Sequence, residues 1–115
     1  MTDCMFCRIA TGAIPATIVA RNDDAIAFRD LNPQAPTHVL IIPVAHIGAM
    51  TDADSDSAER TVGRCLRLAV QVAKQAGLDD GGYRLVINTG RDGGQSVGHV
   101  HVHLLGGRRL GWPPG

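Results

Sequence analysis

The chain has 115 residues, 44% of them hydrophobic, with eleven basic side chains against eleven acidic ones. That length suits one domain with a hydrophobic core and no need of disulfide staples, and the balanced charge excludes a partner held by electrostatics alone, whether nucleic acid or a charged membrane surface. No apolar run has transmembrane length, and the opening MTDCMFCRIATG lacks the basic and apolar regions of a signal peptide, so a cytoplasmic protein without a membrane partner is expected.

In chain order, Cys4 and Cys7 come first, spaced C-x-x-C, with the third cysteine, Cys65, far downstream. An odd number of cysteines in a chain with an ordinary core disfavours a disulfide scaffold and leaves a metal site or a redox pair for the first two. FCRIATGAIP reads as a short helix stopped by Gly12 and Pro15. TIVARN and AIAFRD read as two strands of an antiparallel hairpin turning at Asn22 to Asp24. DLNPQAPTH is a loop whose course is set by two prolines, and HVLIIPV follows as a buried strand.

Between Asp52 and Gly77, the residues Ala58, Val62, Cys65, Leu66, Ala69, Ala73 and Ala76 recur with a period near that of a helix. Asp52 or Ser55 is available as N-cap and Gly77 as the stop. YRLVIN is then a strand, TGRDGGQSVG a glycine-rich loop, HVHVHLL the last strand and GGRRLGWPPG a tail. This order predicts an α+β domain, an antiparallel sheet with one main helix packed across it.

GHVHVHLL, Gly98 to Leu105, carries three of the five histidines at alternate positions. On a strand, His99, His101 and His103 share one face, and Val100, Val102 and Leu104 the other. Three imidazoles on one face need partners, since each presents a donor or an acceptor. The outer two have Cα atoms about 13 Å apart on an extended strand, too far for one zinc to gather all three. The predicted division gives an end histidine to a metal and the middle one to chemistry, with Cys4, Cys7 and His46 as further ligands. Beside the strand, the glycines of DGGQSVG let backbone N–H groups turn toward an anion. A nucleophilic imidazole, an amide nest and the Ser96 hydroxyl together suit attack on phosphorus.

The run His99-Val-His101-Val-His103-Leu-Leu, with FRDLNPQAPTHVLIIPVAHI, NTGRDGGQSVGHVHVHLLGG and the closing WPPG, resembles the histidine triad (HIT) superfamily over nearly the whole chain. Within it the ending is similar to the Hint-like branch of histidine triad nucleotide-binding proteins, in the bacterial type that keeps C-x-x-C. The resemblance implies a HIT-like fold in a single domain, residues 1–115: an antiparallel sheet of about five strands with one long helix and a short N-terminal helix. It implies a phosphoramidase that cleaves the P–N bond of purine nucleoside 5′-phosphoramidates, with AMP, GMP or adenosine derivatives as substrates. His101 would attack the α-phosphorus and become a nucleotidyl-histidine that water hydrolyses, its other ring nitrogen held by the His99 carbonyl. His103 and Ser96 would contact the phosphate, His38 would join the imidazole relay, and Asn88 with the amides around Gly94 would complete the oxyanion cradle.

The same resemblance places Asp30 at the ribose hydroxyls and Phe6, Ile9, Phe28, Leu31 and Leu40 around the base. It makes Cys4, Cys7, His46 and His99 the ligands of one structural zinc per chain. It also implies a homodimer paired through YRLVIN and the long helix, with the tail around Trp112 reaching toward the partner's active site. Two other functions are weighed beside this one: a dinucleoside polyphosphate hydrolase of the same superfamily, which lacks the WPPG ending, and a zinc-stabilised nucleotide-binding module with little catalysis, against which the retention of His38, Ser96, His101 and His103 argues.

Overall fold

The computed structural model describes residues 3–115. A short helix α1, Met5–Ala10, leads into the hairpin of β1, Ile18–Arg21, and β2, Ala25–Arg29. The turn between them is held by the Asn22 side chain, whose Oδ1 accepts from the amides of Asp24 and Ala25, each at 2.8 Å. Strand β3, Thr37–Pro43, and a 3₁₀ turn at Met50–Asp52 precede the long helix α2, Asp56–Gln75. The chain ends with β4, Tyr83–Val86, and β5, Val102–Gly106. All pairings are antiparallel, in the order β1-β2-β3-β5-β4, which is the predicted α+β architecture. Among the described residues no helix is long and apolar enough to cross a membrane.

Both faces of the central strands are covered, which is why HVLIIP reads as a continuous apolar run instead of an alternating one. On one face Ala25, Ala27, Val39, Ile41, Val102 and Leu104 pack against Cys65, Leu68, Ala69, Val72 and Ala73 of α2. On the other, Ile26, Phe28, Leu40 and Ile42 pack against Phe6 and Ile9 of α1. The small alanines of β2 and α2 let the helix lie close on the sheet.

Of the two possible caps for α2, Ser55 is the one used, its Oγ accepting from the Ala58 amide at 3.1 Å. Asp52 instead closes the preceding 3₁₀ turn, accepting from the Ala49 amide. The buried stripe is wider than the predicted one: Leu68 and Val72 belong to it, while Ala76 is exposed. The last strand is also shorter than HVHVHLL. Ladder pairing starts at Val102, opposite Ile41, and His99 to His101 run outside it. Pro43 lacks the N–H that would extend the ladder, and Val100 donates instead to the Ile47 carbonyl at 2.7 Å. The first two histidines are thereby freed from the strict alternation of a strand.

Candidate active site

The three triad histidines end in two different environments. His101 and His103 line an apolar cavity of about 260 Å³, with Phe6 and Ile9 of α1, Phe28 of β2, Leu40 of β3, and Asp30 and Ser96 at its polar end. Leu31 stands at the rim, 98% exposed. Met5, Ile14, Pro15, Ala16, Thr17, Arg29 and Val97 complete the wall. Of these, Ile14, Pro15 and Ala16 come from the apolar, non-periodic loop GAIPA, in which Ile14 and Ala16 are half-buried. A larger cavity of about 600 Å³ lies elsewhere, between Gly77–Gly82 and Gly107–Arg109, and holds none of the histidines.

Backbone partners set where each imidazole carries its proton. His101 Nδ1 lies 2.8 Å from the His99 carbonyl oxygen, which can only accept, so Nδ1 bears the hydrogen and Nε2 keeps its lone pair. His38 has the opposite tautomer: the Gln34 amide donates to its Nδ1 at 3.0 Å, so Nε2 bears the hydrogen. That Nε2 lies 2.9 Å from His103 Nδ1, which therefore accepts and leaves the His103 proton on Nε2. The chain from Gln34 through His38 to His103 thus ends in an N–H donor, next to a ring that ends in a lone pair. His101 and His103 have ring centroids 5.0 Å apart.

Burial favours the neutral form of His103 and His38. It is the main cause that pushes His103 down to about 4, aided by His101 and His38 and opposed by Asp30. It lowers His38 as well, against the raising effect of Asp30. Asp30 Oδ2 lies 3.4 Å from His38 Nε2, and Oδ1 accepts from the Asn32 amide at 2.8 Å. Asp30, His38 and His103 are close enough to suggest a metal site, but the Gln34 amide on Nδ1 commits His38 Nε2 to carrying a proton. A neutral imidazole has no second lone pair to give, so this cluster is a hydrogen-bond relay.

His99 belongs to another group. Its Nδ1 lies 3.3 Å from Cys4 Sγ, 3.5 Å from Cys7 Sγ and 3.2 Å from His46 Nδ1, and Cys7 Sγ lies 3.2 Å from His46 Nδ1. A tetrahedral zinc with bonds of about 2.0 to 2.3 Å sets its nitrogen and sulfur ligands about 3.3 to 3.8 Å apart, close to these spacings. His99 Nε2 lies 2.9 Å from the Pro43 carbonyl, which holds the proton there and turns the Nδ1 lone pair toward the thiols. The donor set, two thiols and two imidazoles, fits a closed Cys2His2 site. Cys65 stands apart, on the buried face of α2 against the sheet, with burial pushing its thiol up to about 12.

The glycine-rich loop reaches the cavity only through Ser96 and Val97. The Gly94 and Gln95 amides close the turn on Arg91 and Gly90, and Asn88 Nδ2 donates to the Gly93 carbonyl at 2.8 Å. Asn88 and Gly94 are therefore not brought to the cavity wall. A side chain at Gly93 would run into the Thr89 carbonyl. Gln95 ties the loop down, donating to the Gly48 and Val97 carbonyls at 2.7 and 3.0 Å and accepting from the Gly90 amide at 2.9 Å.

Comparison with known proteins agrees with this geometry. The HIT domain family model matches residues 11–110. The chain is 51% identical over 112 residues to a 14 kDa zinc-binding protein of Zea mays, covering 96% of this chain and 87% of that one. It is 48% identical over 107 residues to the purine nucleoside phosphoramidase of Escherichia coli K12, covering 93% and 89%. Among solved structures, a HIT family hydrolase from Legionella pneumophila superposes with a TM-score of 0.94 at 50% identity, covering 98% of this chain and all of that one. A histidine triad protein from Clostridium difficile gives 0.91 at 41% identity, covering 96% of each.

Proposed function

The chain belongs to the HIT domain family, and from that premise we propose that it is a hydrolase of purine nucleoside 5′-phosphoramidates working through a nucleotidyl-histidine at His101. The observation that carries this reading is the 2.8 Å hydrogen bond from His101 Nδ1 to the His99 carbonyl. It leaves the Nε2 lone pair available on a ring that lines an apolar cavity of about 260 Å³. The kinship with a purine nucleoside phosphoramidase supports the substrate class.

The base enters between Phe6, Ile9, Phe28, Leu31 and Leu40, and Asp30 accepts from the ribose hydroxyls. His101 Nε2 attacks the α-phosphorus. The new N–P bond forms as the P–N bond to the amine breaks, and the amine leaves with a proton taken from solvent, which the water that later attacks gives back. The His103 N–H donates to a phosphate oxygen, and the Ser96 hydroxyl lies toward the leaving group. Water then attacks the same phosphorus, releasing the nucleoside monophosphate and restoring the ring. Asn88 and Gly94 serve this step through the shape of the loop that presents Ser96.

Cys4, Cys7, His46 and His99 hold one structural zinc per chain in this reading, a role supported by the zinc-binding relatives and the fit of the donor set. With four protein ligands such a site offers no open position, and its contribution is to fix α1, the His46 segment and His99 together. A homodimer in the cytoplasm is the assembly we assign, with residues 1–115 acting as a single domain. β4 is an unpaired sheet edge, and closing such an edge against a symmetry mate removes its exposed backbone groups.

The test is a steady-state comparison of adenosine 5′-phosphoramidate with a diadenosine polyphosphate. Preference for the phosphoramidate by at least about tenfold in kcat/KM, which is about 1.4 kcal/mol of transition-state discrimination, supports the reading. The reverse preference refutes it.

A further inference from the structure

Arg108 lies just beyond β5, exposed, and no step of the proposed reaction uses it. Its guanidinium nevertheless grips one backbone carbonyl with two donors: Nε donates to Gln34 O at 3.2 Å and Nη2 to the same oxygen at 3.0 Å, while Nη1 donates to the Arg109 carbonyl at 3.0 Å. Gln34 is the residue whose amide donates to His38 Nδ1. The grip is built into the fold. Gly107 has φ +90, and a Cβ there would sit 2.9 Å from the Pro36 side chain, so only a bare glycine lets the chain turn against this loop and aim the next residue at Gln34.

The loop is otherwise tied by light contacts. Gln34 Nε2 donates to the Asn32 carbonyl, and the Asn32 amide donates to Asp30. Apart from the His38 ring that it serves, the Gln34 backbone is held from outside the loop by Arg108. If the loop relaxes, His38 Nδ1 loses its donor and the ring is free to carry its proton on either nitrogen. With the proton on Nδ1, Nε2 becomes an acceptor facing His103 Nδ1, and His103 must then give up its Nε2–H to donate from Nδ1. The donor that faces the cavity would be lost.

We propose that Arg108 is a positioning residue that fixes the tautomers of His38 and His103 by clamping the Gln34 backbone. It acts over three hydrogen-bonded links, Arg108 to Gln34, Gln34 to His38 and His38 to His103, without touching substrate. The kinetic part of this inference rests on the proposed hydrolase reading; the tautomer part does not.

The experiment compares the full chain with Arg108→Met, Arg108→Lys and, as a control, Arg109→Met, whose parent side chain makes no bond to Gln34. Histidine ring ¹⁵N shifts report the tautomers, and steady-state kinetics use adenosine 5′-phosphoramidate. In the unaltered protein His38 and His103 should both be Nε2–H. Arg108→Met should mix the tautomers of both rings and lower kcat about five- to twentyfold with KM changed less than about twofold, as expected when a transition-state donor is misplaced. Arg108→Lys, with one donor in place of a fork, should fall between, and Arg109→Met should match the unaltered chain. Unchanged ring signals in Arg108→Met, or the same loss in Arg109→Met, would overturn the proposal. Altered tautomers in a chain that does not hydrolyse the phosphoramidate would uphold the clamp and reject the hydrolase reading instead.

Discussion

His101 Nδ1 donates to the carbonyl oxygen of His99 across 2.8 Å, while the ring of His99 turns the other way, toward Cys4, Cys7 and His46. One residue thus orients the His101 ring, the proposed nucleophile, with its backbone and joins the ligand cluster with its side chain. Both rings pack edge-on against Phe6 of α1, with centroids 6.0 Å away for His99 and 5.1 Å for His101, in the stretch that precedes the ladder.

Loss of the nucleophile should separate binding from chemistry. His101→Ala should reduce kcat by at least about 10⁴-fold while nucleotide affinity stays within about threefold, because the apolar walls, Asp30 and the His103 donor remain. Turnover kinetics and calorimetric titration with AMP check the two halves.

The ligand cluster should hold metal and stabilise the fold. The purified protein should contain about one zinc per chain, with Cys4 and Cys7 protected from thiol reagents. Cys7→Ser should lower the zinc content and the Tm, and should lower kcat far less than His101→Ala does. Elemental analysis with thermal unfolding decides this, and a metal-free protein with both thiols reactive would contradict it.

Stability should fall with acid through His103. Its folded value of about 4 lies below the 6.5 of an unperturbed histidine. Between these values the unfolded chain binds a proton that the folded chain does not, so unfolding free energy rises with pH across that window. The lowered His38 adds in the same direction. Urea unfolding at pH 7, 5.5 and 4.5 should show a steeper loss for the unaltered protein than for His103→Asn.

The tail should matter to substrate choice. Trp112 is 85% exposed in the single chain, and Arg84 of the edge strand holds the Gly111 carbonyl at 2.6 Å. Light scattering at micromolar concentration should give a dimer mass. Deleting residues 112–115 should change the relative kcat/KM among phosphoramidates of different amines while leaving His101 chemistry intact.

Periodicity made the elements legible. The run from Ala58 to Ala73 gave α2, the turn at Asn22 gave the β1–β2 hairpin, and the unbroken HVLIIP announced a strand covered on both faces. The allotment of the histidines was also readable in outline, since their spacing forbids one shared metal. What the pattern could not carry was backbone chemistry. Pro43 ends the ladder and receives His99, Gln34 sets the His38 tautomer, and Arg108 reaches Gln34 from 74 positions away. None of these has a periodic signature, because each depends on where a carbonyl or an amide points. Asn88 and Gly94 show the same limit: residue type suits them to an oxyanion cradle, while the bonds from Asn88 Nδ2 to the Gly93 carbonyl and from the Gly94 amide to the Arg91 carbonyl have no signature in the sequence.

The central claim is the covalent intermediate on His101, and the most direct measurement is the intact mass of the protein denatured at alkaline pH within milliseconds of mixing with excess adenosine 5′-phosphoramidate. A species heavier by one adenylyl group, mapped to the peptide carrying His101 and absent from His101→Ala, is the predicted result. Multiple-turnover hydrolysis with no adduct at any time point, and the same rate in His101→Ala, would contradict the account.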